Sequence, residues 1–178
     1  MKTFLPLAAF AIGLSLTSAF GAETTVVPSH NLNEFKVGRT ITGPAVDLEQ
    51  AKGKAVFIDA WGIHCGPCLA LMPEVEKMSR RYKDKLVVIG AHSQQGTDDE
   101  IKAVVKDKRV SYGVTDGVRG PVNISGLPYG FVFDASGAMI FAGRPADREF
   151  EKAIRKAVQS VSASASKPSG LDALKKPQ

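Results

Sequence analysis

Residues 61–78 read WGIHCGPCLALMPEVEKM. The stretch holds Cys65 and Cys68, the only two cysteines among 178 residues. Gly66 and Pro67 separate them. A C-x-x-C pair closes too small a ring to restrict the unfolded chain much, so structural stapling is a poor explanation. A domain of this size also has enough core to do without a staple. Chemistry is the better reason for placing every thiol in one loop. Downstream, Leu69, Met72, Val75, Glu76, Ser79 and Tyr82 recur at helical spacing, and Leu71 and Met78 widen the apolar face. That spacing predicts a helix over 67–83, with Pro73 inside it as a kink. Upstream, AVFIDAW at 55–61 is a short apolar run with one acid in it, which reads as a central strand covered on both faces.

The cysteines therefore fall between a strand and a helix N-terminus. Free N–H groups and the dipole at such a terminus stabilise a thiolate, the reactive form of cysteine. Cys65 precedes the helix, and its sulfur can face solvent. Cys68 lies one turn in and deeper. The asymmetry assigns Cys65 the attack on a substrate disulfide and Cys68 the resolution of the mixed disulfide. Gly66 and Pro67 shape the turn, and a proline at the first helical position forfeits no hydrogen bond.

The remaining chain alternates strands and helices. Residues 23–36 are mixed and polar and read as an extended leading segment. Residues 37–54 suggest short strands with turns at 43–44 and 52–54. KLVVIGAHS at 85–93 is a strand. Thr97, followed by Asp98, Asp99 and Glu100, caps a helix to about 108. VSYGVTDG at 110–117 is a short strand or loop. YGFVFD (129–134) and AMIFAG (138–143) form a hairpin. Asp147 then caps an amphipathic helix over 148–161. This order implies an α/β sheet flanked by helices. We expect one domain over 23–161 and a disordered tail of Ser, Ala, Lys and Pro over 162–178.

Lys2, the apolar run from Phe4 to Leu16, and small residues at Ala19 and Gly21 have the layout of a signal peptide over 1–22. The alternative is an uncleaved membrane anchor, for which the run is short. The formal net charge of +5 is scattered rather than clustered, which argues for a solvated surface and against a nucleic-acid partner.

FIDAWGIHCGPC at 57–68, Pro73 and SGLP at 125–128 together resemble a thioredoxin-fold protein. The pattern is most similar to the secreted thioredoxin-like proteins of the TlpA/ResA type, thiol-disulfide oxidoreductases of the bacterial cell envelope. The resemblance spans roughly residues 40–160. It implies a thioredoxin fold with a central mixed sheet flanked by helices, no cofactor, and a Cys65–Cys68 redox-active disulfide. It places Asp59 at the buried acid of thioredoxin, able to accept and return the Cys68 proton. Trp61 matches the tryptophan packed under the active site. Pro128 matches a cis-proline packed against the disulfide, with the Leu127 backbone pairing an extended substrate segment. His64 departs from the pattern, standing where thioredoxin has tryptophan; its charge would favour the Cys65 thiolate and make the disulfide more oxidising.

The implied function is disulfide exchange with protein substrates in the periplasm. The expected direction is reduction, with electrons from a membrane thiol transporter, and the reverse role of disulfide donor stays open because of His64; substrates would include apocytochrome c cysteines or mispaired disulfides. An alternative of another class is Cu(I) binding by Cys65, Cys68 and a histidine. A closed zinc site wants four ligands, and one C-x-x-C does not supply them. His30 and His92 read as structural or surface residues.

Overall fold

The computed structural model describes residues 29–165. The leader expected over 1–22 and residues 166–178 of the expected tail lie outside the described residues.

The chain opens with a 3-10 turn, Leu32–Glu34, where an extended segment was expected. Asn31 and Glu34 explain it: the Asn31 side chain caps the turn, and Glu34 reaches back to the Asn31 N–H. Strands β1 (Lys36–Val37) and β2 (Thr40–Thr42) follow, then β3 (Ala55–Trp61), α1 (Gly66–Arg81), β4 (Leu86–His92) and α2 (Asp98–Asp107). Next come β5 (Gly113–Thr115), β6 (Val118–Arg119), β7 (Tyr129–Phe133), β8 (Met139–Gly143) and α3 (Arg148–Ala165). The main sheet is mixed, with order β2-β5-β4-β3-β7-β8; β1 and β6 pair separately.

Every residue of β3 is buried. The strand is parallel to β4 on one side and antiparallel to β7 on the other. Central placement explains its near-continuous apolar character. The units β3-α1-β4 and β4-α2-β5 step in the same direction across the sheet. Right-handed crossovers then place α1 and α2 on one face. Their buried residues, with those of α3, join Ala55, Phe57 and Trp61 in one apolar cluster. Val56 and Ile58 face the other way, into a cluster with Leu32, Phe35, Phe131 and Phe133. The second face is thus closed by the N-terminal segment rather than by a helix.

The hairpin of β7 and β8 matches the sequence expectation. Its turn is held by Asp134, whose Oδ1 accepts from the Ser136 and Ala138 N–H groups, and Gly137 takes a positive φ of 85°. Thr97 and Glu100 form the capping box of α2. Pro73 lies on the exposed side of α1, which continues through it. At the C-terminus α3 runs on to Ala165, so residues 162–165, expected to belong to the disordered tail, are helical. Alanine and serine offer the helix little resistance, and the Lys85 ammonium donates to the Ser162 hydroxyl.

Glu76 fastens α1 to the strand layer. Its carboxylate accepts from the Ser111 N–H and hydroxyl, at 2.8 and 2.7 Å, and from Arg80. Burial alone would push this carboxyl up, but the Ser111 and Arg80 contacts outweigh it and hold it below its ordinary value. A depressed carboxyl contributes stability above its unfolded pKa and loses it as pH falls. Glu76→Gln should therefore destabilise the fold by about 2 kcal/mol at neutral pH, and the gap should narrow as pH falls below about 4. Urea unfolding of both proteins at the two pH values checks this.

Candidate active site

β3 ends at Trp61 and α1 begins at Gly66, so the intervening turn is set by two fixed elements. Cys65 is the N-cap of α1, and its sulfur accepts from the Cys68 N–H at 3.2 Å. One free donor of the helix terminus is therefore aimed at the first sulfur, the arrangement that favours a thiolate there. Cys65 and Cys68 form a disulfide, with Cα atoms 5.2 Å apart. Cys65 is 8 % exposed and Cys68 2 %, so the first sulfur belongs to the more accessible residue. Gly66 and Pro67 are exposed at the tip of the turn.

Two side chains from the end of β4 and the β4–α2 connection hold the backbone before Cys65. His92 Nε2 accepts from the Ile63 N–H at 3.3 Å, and Gln94 Oε1 accepts from the His64 N–H at 3.0 Å. The His92 ring also packs edge-on against Trp61, with centroids 5.1 Å apart. His64 itself is exposed. His92, read from sequence as structural or surface, is a buried support of the active-site turn. Gln94 carries no signal in sequence, since an exposed loop amide has no spacing to mark it.

Asp59 lies in β3, two residues before Trp61 and on the same face, which α1 covers. It is 2 % exposed, and burial pushes its pKa up to about 7. Its register partners on either side are both glycines, Gly90 of β4 and Gly130 of β7. A side chain at either position would crowd an aromatic ring. A Cβ on Gly90 would come 3.0 Å from the Tyr112 ring, and one on Gly130 would come 2.8 Å from the Phe57 ring. The peptide bond between Leu127 and Pro128 is cis. Pro128 directly precedes Tyr129, the partner of Ala60, and so falls level with Trp61. Leu127 is half-buried against the cluster that contains both cysteines.

A two-cysteine disulfide at a helix N-terminus, following a strand that buries a near-neutral carboxyl in a mixed sheet of this topology, defines a thiol-disulfide exchange protein. Comparison with known proteins agrees. A thiol-disulfide oxidoreductase ResA of Bacillus cereus is 28 % identical over 134 residues, covering 73 % of this chain and 78 % of ResA. The thioredoxin-like protein YneN of Bacillus subtilis is 26 % identical over 121 residues, covering 64 % and 71 %. A DsbF homologue from Corynebacterium diphtheriae superposes with a TM-score of 0.63 at 21 % identity, covering 72 % of this chain and 87 % of its own. The family described as Redoxin matches residues 28–153, and the chain belongs to it. It has the thioredoxin fold and is a TlpA/ResA-like protein thiol-disulfide oxidoreductase.

The burial of Asp59 carries a stability signature. A carboxyl with its pKa raised from 3.8 to about 7 favours folding below the lower value, and that contribution is lost as pH climbs to the upper one. Asp59→Asn removes the charge that must be buried above neutrality. The variant should be more stable than wild type at pH 8 by up to ~4 kcal/mol, and about equal to it near pH 4. Thermal unfolding of the oxidised proteins across this range checks the sign.

Proposed function

We propose that the chain is a reductant of protein disulfides in the bacterial cell envelope, acting through Cys65-Gly66-Pro67-Cys68. The observation that supports this most is the Cys65–Cys68 disulfide at the head of α1, directly after a strand that buries Asp59 with its carboxyl near neutrality. In the reduced protein the Cys65 thiolate attacks one sulfur of a substrate disulfide. That S–S bond breaks, the other substrate sulfur leaves as a thiolate and takes a proton from solvent, and a mixed disulfide forms. Asp59, ionised, accepts the Cys68 proton. The Cys68 thiolate attacks the Cys65 sulfur, the second substrate sulfur departs and is protonated, and Cys65–Cys68 closes. Two electrons have passed to the substrate.

The C-G-P-C sequence, shared with thioredoxin, favours the reducing direction. The leader-like N-terminus favours export, and ResA and YneN are the relatives this reading leans on. In an oxidising compartment the disulfide must be re-reduced, and a membrane thiol-electron transporter is the donor we assign. Apocytochrome c cysteines and mispaired disulfides are the substrate classes. Trp61, fully buried, packs beneath the active-site turn, and the Leu127 backbone is the edge with which an extended substrate segment would pair. His64 is exposed beside Cys65, and a positive charge at that position would favour the Cys65 thiolate and oppose the reducing direction. The Cu(I) alternative places a histidine beside the two sulfurs, and among the described residues no group of three His, Cys, Asp or Glu is placed to hold a metal ion.

The general base works only when ionised, so resolution should accelerate as pH rises through about 7. Asp59→Asn should slow that step by about a hundredfold at neutral pH and less at high pH, where Cys68 ionises unaided. Single-turnover reduction of insulin across pH reads this; identical profiles for the two proteins would remove Asp59 from the mechanism.

Cys68→Ser tests the scheme as a whole. A serine hydroxyl cannot resolve the mixed disulfide, so covalent complexes should accumulate in the envelope, dissociate on reduction, and be absent with Cys65→Ser. No captured partner, under conditions where the wild type cycles, would overturn exchange through Cys65. The equilibrium potential against glutathione decides direction: a value near that of thioredoxin supports a reductant, and a much higher one a disulfide donor.

A further inference from the structure

Among the described residues, three buried side-chain atoms have no hydrogen-bond partner: Asp59 Oδ1, Trp61 Nε1 and Tyr112 Oη. All three belong to one place. Asp59 and Trp61 lie two apart on the same face of β3, and Gly90 is the register partner of Asp59 on β4. Gly90 in turn pairs with Val114 of β5, and Tyr112 lies two residues before Val114, on the same face. A Cβ on Gly90 would meet Tyr112 Cε2 at 3.0 Å and Trp61 Nε1 at 3.1 Å. The glycine therefore lets the phenol and the indole close over the position beside the Asp59 carboxyl.

The chemistry of the three atoms is complementary. Indole Nε1 is a donor only, a phenol hydroxyl can donate, and an ionised carboxylate accepts only. Leaving a buried donor unpaired costs about 1–3 kcal/mol. A neutral acid offers these two donors mainly its carbonyl oxygen, whereas the ionised carboxylate accepts at both oxygens and more strongly.

We propose that Tyr112 is a positioning residue for the exchange reaction: its hydroxyl donates to Asp59 whenever that carboxyl is ionised, directly or across one water, with Trp61 Nε1 as the second donor. The inference rests on the reading of Asp59 as the acceptor of the Cys68 proton. It gives the charge that appears on Asp59 during resolution a partner inside the core, so the carboxyl is kept neutral by burial and yet ionises on demand. The groups facing Tyr112 are Asp59 from β3 and Glu76 from α1, both of which push its phenol further up after burial does. Glu76 is already held ionised by Ser111 and Arg80, so its charge does not change near neutrality. The cysteines of α1 share the cluster, and in the disulfide they do not titrate.

The test uses the oxidised full-length protein, labelled with carbon-13 at the Asp carboxyl and Tyr Cζ positions. In wild type the Tyr112 resonance should shift with the same midpoint as the Asp59 carboxyl. Tyr112→Phe keeps the ring and removes the donor, so the Asp59 midpoint should rise by about one unit. In the reduced protein the pH-dependent limb of resolution should move to higher pH by the same amount, and Tyr112→Phe should change nothing in an Asp59→Asn background. A Tyr112 signal that ignores Asp59 in wild type overturns the proposal. So does an unmoved Asp59 midpoint in folded Tyr112→Phe, or an equal loss of rate with and without Asp59. If Asp59→Asn resolves as fast as wild type, the base role fails, and the midpoint shift still decides for or against the Tyr112 contact.

Discussion

A carboxyl group in the middle of the most buried strand is the constraint on which this structure depends. Asp59 sits between parallel β4 and antiparallel β7, shielded from bulk solvent. Its neighbours are shaped around it. Both flanking positions are glycine, and the rings of Phe57, Trp61 and Tyr112 close the space those glycines leave. The fold accepts an expensive group at its centre and surrounds it with residues chosen by size. An acid held near neutrality there is poor for stability and useful for moving a proton.

The turn above it solves a different problem. Two sulfurs must stand close, one accessible and one not, on a backbone that does not wander. The helix fixes one end by placing Cys65 at the N-cap and Cys68 one turn in. His92 and Gln94 fix the other, since their acceptors take up the Ile63 and His64 N–H groups. The turn thus borrows its order from a segment about 30 residues away in sequence.

Much of this is legible in the sequence because it is local. Cys65, Cys68 and Pro67 announce themselves by spacing, β3 by its apolar run, and the β7–β8 hairpin by its turn residues. Asp59 stands out as the one acid in an apolar strand. What stays hidden depends on contacts between distant segments. Tyr112 falls in a stretch readable as strand or loop, and only the register of β5 against β4 turns it toward Asp59. A glycine inside a strand signals close approach, but Gly90 alone does not say which side chains approach. The C-terminal boundary differs for the opposite reason: a low-complexity composition masks about one more turn of willing helix formers. The cap at Leu32–Glu34 is concealed in the same way, because an Asn and a Glu three apart blend into their polar surroundings.

His92 has one more consequence. Its Nε2 accepts a hydrogen bond, so the single proton of the neutral ring belongs on Nδ1, and a second proton would have to displace Ile63. Burial lowers the affinity of the ring for that proton, a lowering that Asp116 only partly offsets. The support beneath the active-site turn is therefore acid-tolerant by construction. A protein exposed to whatever acidity its surroundings bring would keep its catalytic loop in register after an ordinary surface histidine had already become charged.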